Sequence, residues 1–269
     1  VKRRKSSIKI FPIFVILSLA AVFFAVILNR APHRRVPVPV AQIAFVIDDW
    51  GYSLHNTDAL FQIDRPVTLA VLPHLRYSKE ISDSARRHGE MYDVILHLPL
   101  ESKSGRSAER DTIRRNMKKD RVLAILNDDI EGAPGLIGVS NHQGSKATES
   151  SETMGIILEE LKKRDLFFLD SRTTPVSVCG KIAAKIGLRH AERDVFLDLA
   201  QTKDENQYRI YIKKQIKELI RIAKAKGSAI AIGHDKKLTL EVIKESVSSI
   251  EKEGIKIVPL KKLAVRHEK

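Results

Sequence analysis

The chain has 269 residues, 43% of them hydrophobic and 30% charged, which suits one large packed domain and excludes wholesale disorder. A single cysteine, Cys179, excludes an intramolecular disulfide and a multi-thiolate metal centre. The formal charge of +14 is uneven: eight basic residues and no acid precede Asp48, so the rest carries 39 basic and 33 acidic side chains, a balance of +6. Those later charges punctuate amphipathic stretches such as IKKQIKELIRIAKAK, and aromatics are only 6%, so no nucleic-acid stripe is expected; nor, without a phosphate-binding glycine motif behind any strand, is a nucleotide partner.

Residues 1–35 form a basic leader and an apolar segment. Residues 10–28 are nineteen uncharged residues, and at ~1.5 Å each they match a ~30 Å hydrocarbon core. By the positive-inside rule, the flanking KRRKSSIK sets the N-terminus in the cytoplasm. The expectation is an uncleaved signal anchor in the inner membrane with the domain exported to the cell envelope; a cleaved signal and secretion are the alternative. Residues 36–41 are a stiff proline-rich linker, and 42–269 form the exported domain.

From Ile43 onward short apolar runs alternate with helical patterns. The order is strand 43–47, helix 54–62, strand 67–72, helix 77–88 and strand 92–97, with Pro99 as its stop. A long connection, ESKSGRSAERDT, leads to a helix over 113–127, strand 136–140, helix 149–163 and strand 166–170. Pro175 opens a helix running to 186, with Cys179 a small buried residue on it. Strand 195–197, helix 205–226, strand 228–232, a helix N-capped by Thr239 and reaching 252, and strand 255–260 complete the chain. Eight such strands with helical crossovers predict a parallel (β/α) barrel or an open doubly wound sheet. No phosphate-binding glycine motif follows any strand.

The runs share one property: polar residues sit directly behind them. Asp48-Asp49 follow IAFVI, His74 follows VTLAVLP, His97 closes DVILH, and Asn141-His142 follow LIGVS. Asp170-Ser171-Arg172 follow LFFL, Asp198 follows VFL, and His234-Asp235 follow AIAIG. In parallel α/β folds strand carboxyl ends gather on one functional rim. Two adjacent carboxylates there repel unless they share a cation or a proton. One can bind metal while its neighbour, pointing the other way, serves as base. A carboxylate and two imidazoles from different strands make an open metal site. His234 is a candidate general acid or base, and Asp170 either supports a ligand or is a buried structural acid. Asp128-Asp129 reads as a surface turn. No serine lies in G-x-S-x-G.

Over Gln42–Leu260 the segments IAFVIDDWG, VTLAVLPH, EMYDVILHLPLE, IGVSNHQGS, FFLDSRTT, RDVFLD and AIAIGHD resemble the divergent polysaccharide deacetylases, relatives of the NodB-type family-4 carbohydrate esterases. The resemblance implies an α/β barrel of seven or eight parallel strands and a divalent metal, usually zinc, on Asp49, His97 and His142. It implies Asp48 as catalytic base, His234 as acid and Asp170, with Arg172, in support; from their place behind the strands, Arg172 and His74 are also candidate substrate contacts. The chain departs from the family pattern at HLPLE, FLDL and GHD, where HLPME, FLDN and GHP are usual. The expected activity is removal of acetyl groups from an N-acetylated polysaccharide or peptidoglycan-type glycan. The rival readings are a non-catalytic glycan- or partner-binding module on the same barrel, and a phosphoesterase on the same ligands.

Overall fold

The computed structural model describes residues 40–105, 109–133 and 135–266. Nine strands occur among them: β1 (Gln42–Trp50), β2 (Val67–Val71), β3 (Tyr92–Leu100), β4 (Gly138–Gln143), β5 (Phe167–Asp170), β6 (His190–Glu192), β7 (Val195–Phe196), β8 (Ser228–His234) and β9 (Lys256–Ile257). The helices are α1 (Thr57–Phe61), α2 (Ser78–Arg87), α3 (Lys119–Glu131), α4 (Ser151–Lys163), α5 (Cys179–Ile186), α6 (Glu205–Lys226) and α7 (Lys237–Lys252). The strands pair in parallel in the order β6-β5-β4-β3-β2-β1-β8-β7, with β9 on the outer end of β1. This is an eight-stranded half-barrel. β6 and β7 stand at opposite ends of the ladder, and Arg193-Asp194 carry the chain from one to the other.

Strand periodicity sorts the side chains. Ala44 and Val46 of β1, Ile95 of β3, Phe167 and Leu169 of β5, and Ile230 and Ile232 of β8 fill the interior. Their alternates, such as Ile43, Phe45 and Ile47, pack outward against the helices. Continuing the inward parity along β1, β3, β7 and β8 reaches Asp48, His97, Asp198 and His234. The site is therefore built by the same alternation that builds the core.

Gly138 shows how tightly the interior is filled. A Cβ there would stand 2.6 Å from two Phe167 ring atoms. Gly138→Ala is expected to cost about 1–3 kcal/mol of stability by overpacking. A lowered urea midpoint at unchanged m-value is the check; an unchanged midpoint contradicts the packing.

Several boundaries differ from expectation for physical reasons. The helix expected over 113–127 starts at Lys119, because Ile113 is taken by a bridge to Leu100 and buried there. β3 runs past Pro99 to Leu100. β2 pairs only as far as Leu96, so the proline faces no ladder acceptor on that side, and its carbonyl accepts from the Ile113 amide. The helix expected from Pro175 begins at Cys179, and the final strand is only two residues. β6 was not foreseen, since HAE carries no apolar run. Thr239 is no N-cap: α7 begins two residues earlier, and its buried hydroxyl is used elsewhere. Residues 10–28, and 36–39 of the proline-rich stretch, lie outside the described residues; among those described, no helix is long and apolar enough to cross a membrane.

Candidate active site

At the end of β1 the pairing to β2 slips: Ile47 pairs with Leu69 but Trp50 with Val71, so three steps on β1 oppose two on β2. This bulge places Asp49 in the left-handed region at φ 68°. The consequence corrects a sequence expectation. The two aspartates do not point to opposite faces; both reach one imidazole. His97 Nε2 lies 3.4 Å from Asp49 Oδ1 and 3.5 Å from Asp48 Oδ2, and His142 Nδ1 lies 3.1 Å from the same Asp49 oxygen. The rings of His97 and His142 are 4.9 Å apart at 71°.

Asp49, His97 and His142 each offer one ligand atom, all within 4.8 Å of one another. Ligands on a tetrahedral ion with bonds of ~2.0–2.2 Å are separated by about 3.3–3.6 Å, close to the spacings here. Asp48 Oδ1 is buried without a hydrogen-bond partner, a state that costs free energy unless a cation is held there. His97 is oriented from behind: its Nδ1 is hydrogen-bonded to Ser140 Oγ at 2.8 Å, and would donate there with an ion on Nε2. These residues fit a divalent metal.

The electrostatics agree. Burial raises the pKa of Asp48 and outweighs the opposing pull of His97 and His234. Burial acts the same way on Asp49, but its contacts with His142 and His97 win and hold it far below the usual carboxylate range. Burial disfavours the His97 imidazolium, yet Asp48 and Asp49 together raise its pKa. The cluster demands positive charge, whether proton or metal.

Across the rim stands a second unit. Asp198 Oδ1 lies 2.7 Å from His234 Nδ1, while its Oδ2 accepts the His234 amide at 2.9 Å and the Thr239 hydroxyl at 2.8 Å. Asp198 is fully buried and anchors the imidazole through Nδ1, leaving Nε2 to carry a transferable proton. Burial tends to lower the His234 pKa, but Asp198 outweighs it and the net shift is upward. The protonated form thus persists above the ordinary imidazole range. Asp198→Asn should lower the His234 pKa, read by NMR titration of the imidazole, because hydrogen bond and charge are both weakened. An unmoved pKa would mean that Asp198 does not hold the imidazole as assigned.

Other expected site residues go elsewhere. Asp170 shares its strand face with Phe168, which packs outward, so it points away from the barrel interior. It accepts from the Arg172 amide at 2.7 Å and the Ser177 hydroxyl at 2.6 Å, organising the loop before α5. Arg172 reaches Glu192 at 3.5 Å. His74 meets Asp128 and Asp129 at the end of α3, and Asp129 is buried rather than part of a surface turn. Cys179 is buried and its thiol pKa pushed up, as a structural cysteine. Asp235 turns to Asn56 Nδ2 at 2.8 Å.

Arg193, between β6 and β7, ties two loops of the rim together. Its Nε donates to Ser171 O at 2.7 Å and its Nη2 to Arg172 O at 2.9 Å, while its guanidinium lies 3.7 Å from the Phe196 ring. Phe196 in turn stacks beside His234. A signal existed in the alternation of RDVFLD, which puts Phe196 and Asp198 on one face.

A parallel half-barrel with an Asp-His-His cluster and an Asp–His pair on its C-terminal rim defines the class. Residues 45–264 match the family profile described as "Divergent polysaccharide deacetylase", and the chain belongs to that family. It is 33% identical over 235 residues to an uncharacterized Haemophilus influenzae protein, covering 87% of this chain and 81% of that one. It is 31% identical over 214 residues to the uncharacterized protein YibQ of Escherichia coli K12, covering 80% of this chain but 65% of the relative, just under two thirds of its length. Among solved structures, uncharacterized protein ATU2773 of Agrobacterium tumefaciens C58 superposes with TM-score 0.76 at 24% identity, over 84% of this chain and 90% of that one. The Bc1960 peptidoglycan N-acetylglucosamine deacetylase superposes with TM-score 0.52 at 9% identity, over 87% and 92%. These two likenesses concern the fold.

Proposed function

We propose that the protein is a metal-dependent hydrolase that removes acetyl groups from an N-acetylated glycan of the cell envelope. The observation that carries this reading is the bulged Asp48-Asp49 pair, which brings one carboxylate into a three-ligand cluster and leaves a second, buried and unsatisfied, beside it. Asp49, His97 and His142 would hold the ion, with zinc the expected metal given two imidazoles and one carboxylate. When bound, such an ion polarises an amide carbonyl and lowers the pKa of an attacking water.

The protein's own groups then divide the proton work. Asp48, whose proton affinity burial has raised, takes the proton from the attacking water. His234, held protonated by Asp198, donates from Nε2 to the departing amine, which is a poor leaving group until protonated. Tyr52 is exposed just beyond Asp49, and Leu199 just beyond Asp198. As exposed large side chains next in sequence to the site residues, they would offer apolar surface to the face of a sugar ring. The apolar, uncharged segment 10–28 behind a basic leader supports an envelope location.

The test is acetate release from N-acetylated oligomers of the chitin and peptidoglycan types, with and without chelator. Release that chelation abolishes and zinc restores supports the reading. A protein that binds the metal stoichiometrically but releases no acetate from any of them overturns it in favour of a binding module.

A further inference from the structure

A second group of ligating side chains lies apart from the active site. His74 follows β2 with a left-handed backbone, φ 58°, and its Nε2 stands 3.0 Å from Asp129 Oδ1 and 3.2 Å from Asp128 Oδ2, both on the last turn of α3. The three ligand atoms lie within 4.8 Å of one another. None of these residues contributes to the Asp49–His97–His142 cluster.

The electrostatics are unbalanced in one direction. A single Nε2–H cannot satisfy two carboxylates at once. Asp129 is 2% exposed, its carboxylate is turned to His74, and its second oxygen, Oδ2, is buried with no hydrogen-bond partner. Both aspartates sit at a helix C-terminus, where the backbone dipole is unfavourable to negative charge, and the last turn of α3 carries no basic residue. Of the two, Asp129 is buried and Asp128 exposed, and a buried carboxylate in such a place is retained at a cost unless a cation is shared. The imidazole is also given room. A Cβ at position 132 would come 3.2 Å from His74 Cε1, so Gly132 lets the ring lie against the end of the helix.

From this geometry we infer that His74, Asp128 and Asp129 form a second divalent-cation site. It takes an ion of the zinc class through Nε2 and one oxygen of each carboxylate, and water completes the coordination. The observed 3.0 and 3.2 Å separations are within a few tenths of an ångström of those around an ion with bonds of ~2.0–2.2 Å. Its role is structural: it clasps the loop after β2 to the C-terminal end of α3. This inference does not depend on the proposed activity.

The test counts zinc bound per chain at a buffered free zinc concentration, using the full chain without a polyhistidine tag. The wild type is expected to hold two ions, and His97→Ala/His142→Ala one. Adding Asp129→Asn or His74→Gln to that double variant should leave none, with Asp129→Asn checked for native circular dichroism. His74 is partly exposed, so His74→Gln carries the test should Asp129→Asn fail to fold. If the double variant binds no zinc, or keeps an ion that neither addition removes, the second site is refuted. If the wild type holds a single ion that His74→Gln abolishes, the second site stands and the active-site reading falls instead.

Discussion

Asp48→Asn is expected to keep the active-site ion and lose most of the rate, about 10²–10⁴-fold, the usual cost of deleting a general base. The amide preserves shape in a site with no room to spare, since Asp48 is almost fully buried on the inward face of β1. It removes the one carboxylate near His97 that is not needed as a ligand. Metal analysis beside kcat separates the two functions. If Asp48→Asn strips the ion, the roles of the two aspartates are reversed.

His97→Ala and His142→Ala should each lose metal and activity together, because two remaining ligands rarely hold an ion tightly. They should differ in metal-free stability. His97 is buried against both aspartates, so its loss leaves buried carboxylates unpaired, a defect of about 3–5 kcal/mol in comparable buried pairs. His142 is partly exposed and meets only Asp49 of the two aspartates, so its loss should cost much less. Thermal unfolding in excess chelator checks the contrast. Equal melting temperatures for the two variants would mean that His97 does not carry the buried charge assigned to it.

The sequence made the ladder legible because parallel strands buried on both faces leave continuous apolar runs. It made the rim legible because polar residues follow those runs. The Asp49, His97 and His142 positions were readable in this way, each one marking the end of a different strand. What escaped were features set by geometry between strands. The bulge after Ile47 is a register shift against β2, invisible in β1 alone, yet it decides that Asp48 and Asp49 converge. Strand-end position alone left two roles open for Asp170; parity decides for the structural one, since it shares a face with Phe168, on the outside. Parity also held the answer for Asp198, which lies on the His234 side of β7. Thr239 was read from local capping rules, whereas a tertiary partner, Asp198, claims its hydroxyl. The His74–Asp129 contact joins residues fifty-five apart through a helix end, and nothing in either local segment announces it.

The central claim is that one ion is shared by Asp49, His97 and His142. Anomalous diffraction from crystals grown with zinc, recorded on both sides of the zinc edge, tests it most directly. The account predicts a peak bonded at about 2.0–2.2 Å to Asp49 Oδ1, His97 Nε2 and His142 Nδ1, with Asp48 beside it and not bound. Zinc found elsewhere in the molecule, with this cluster empty, or a peak held by Asp48 in place of Asp49, would contradict it.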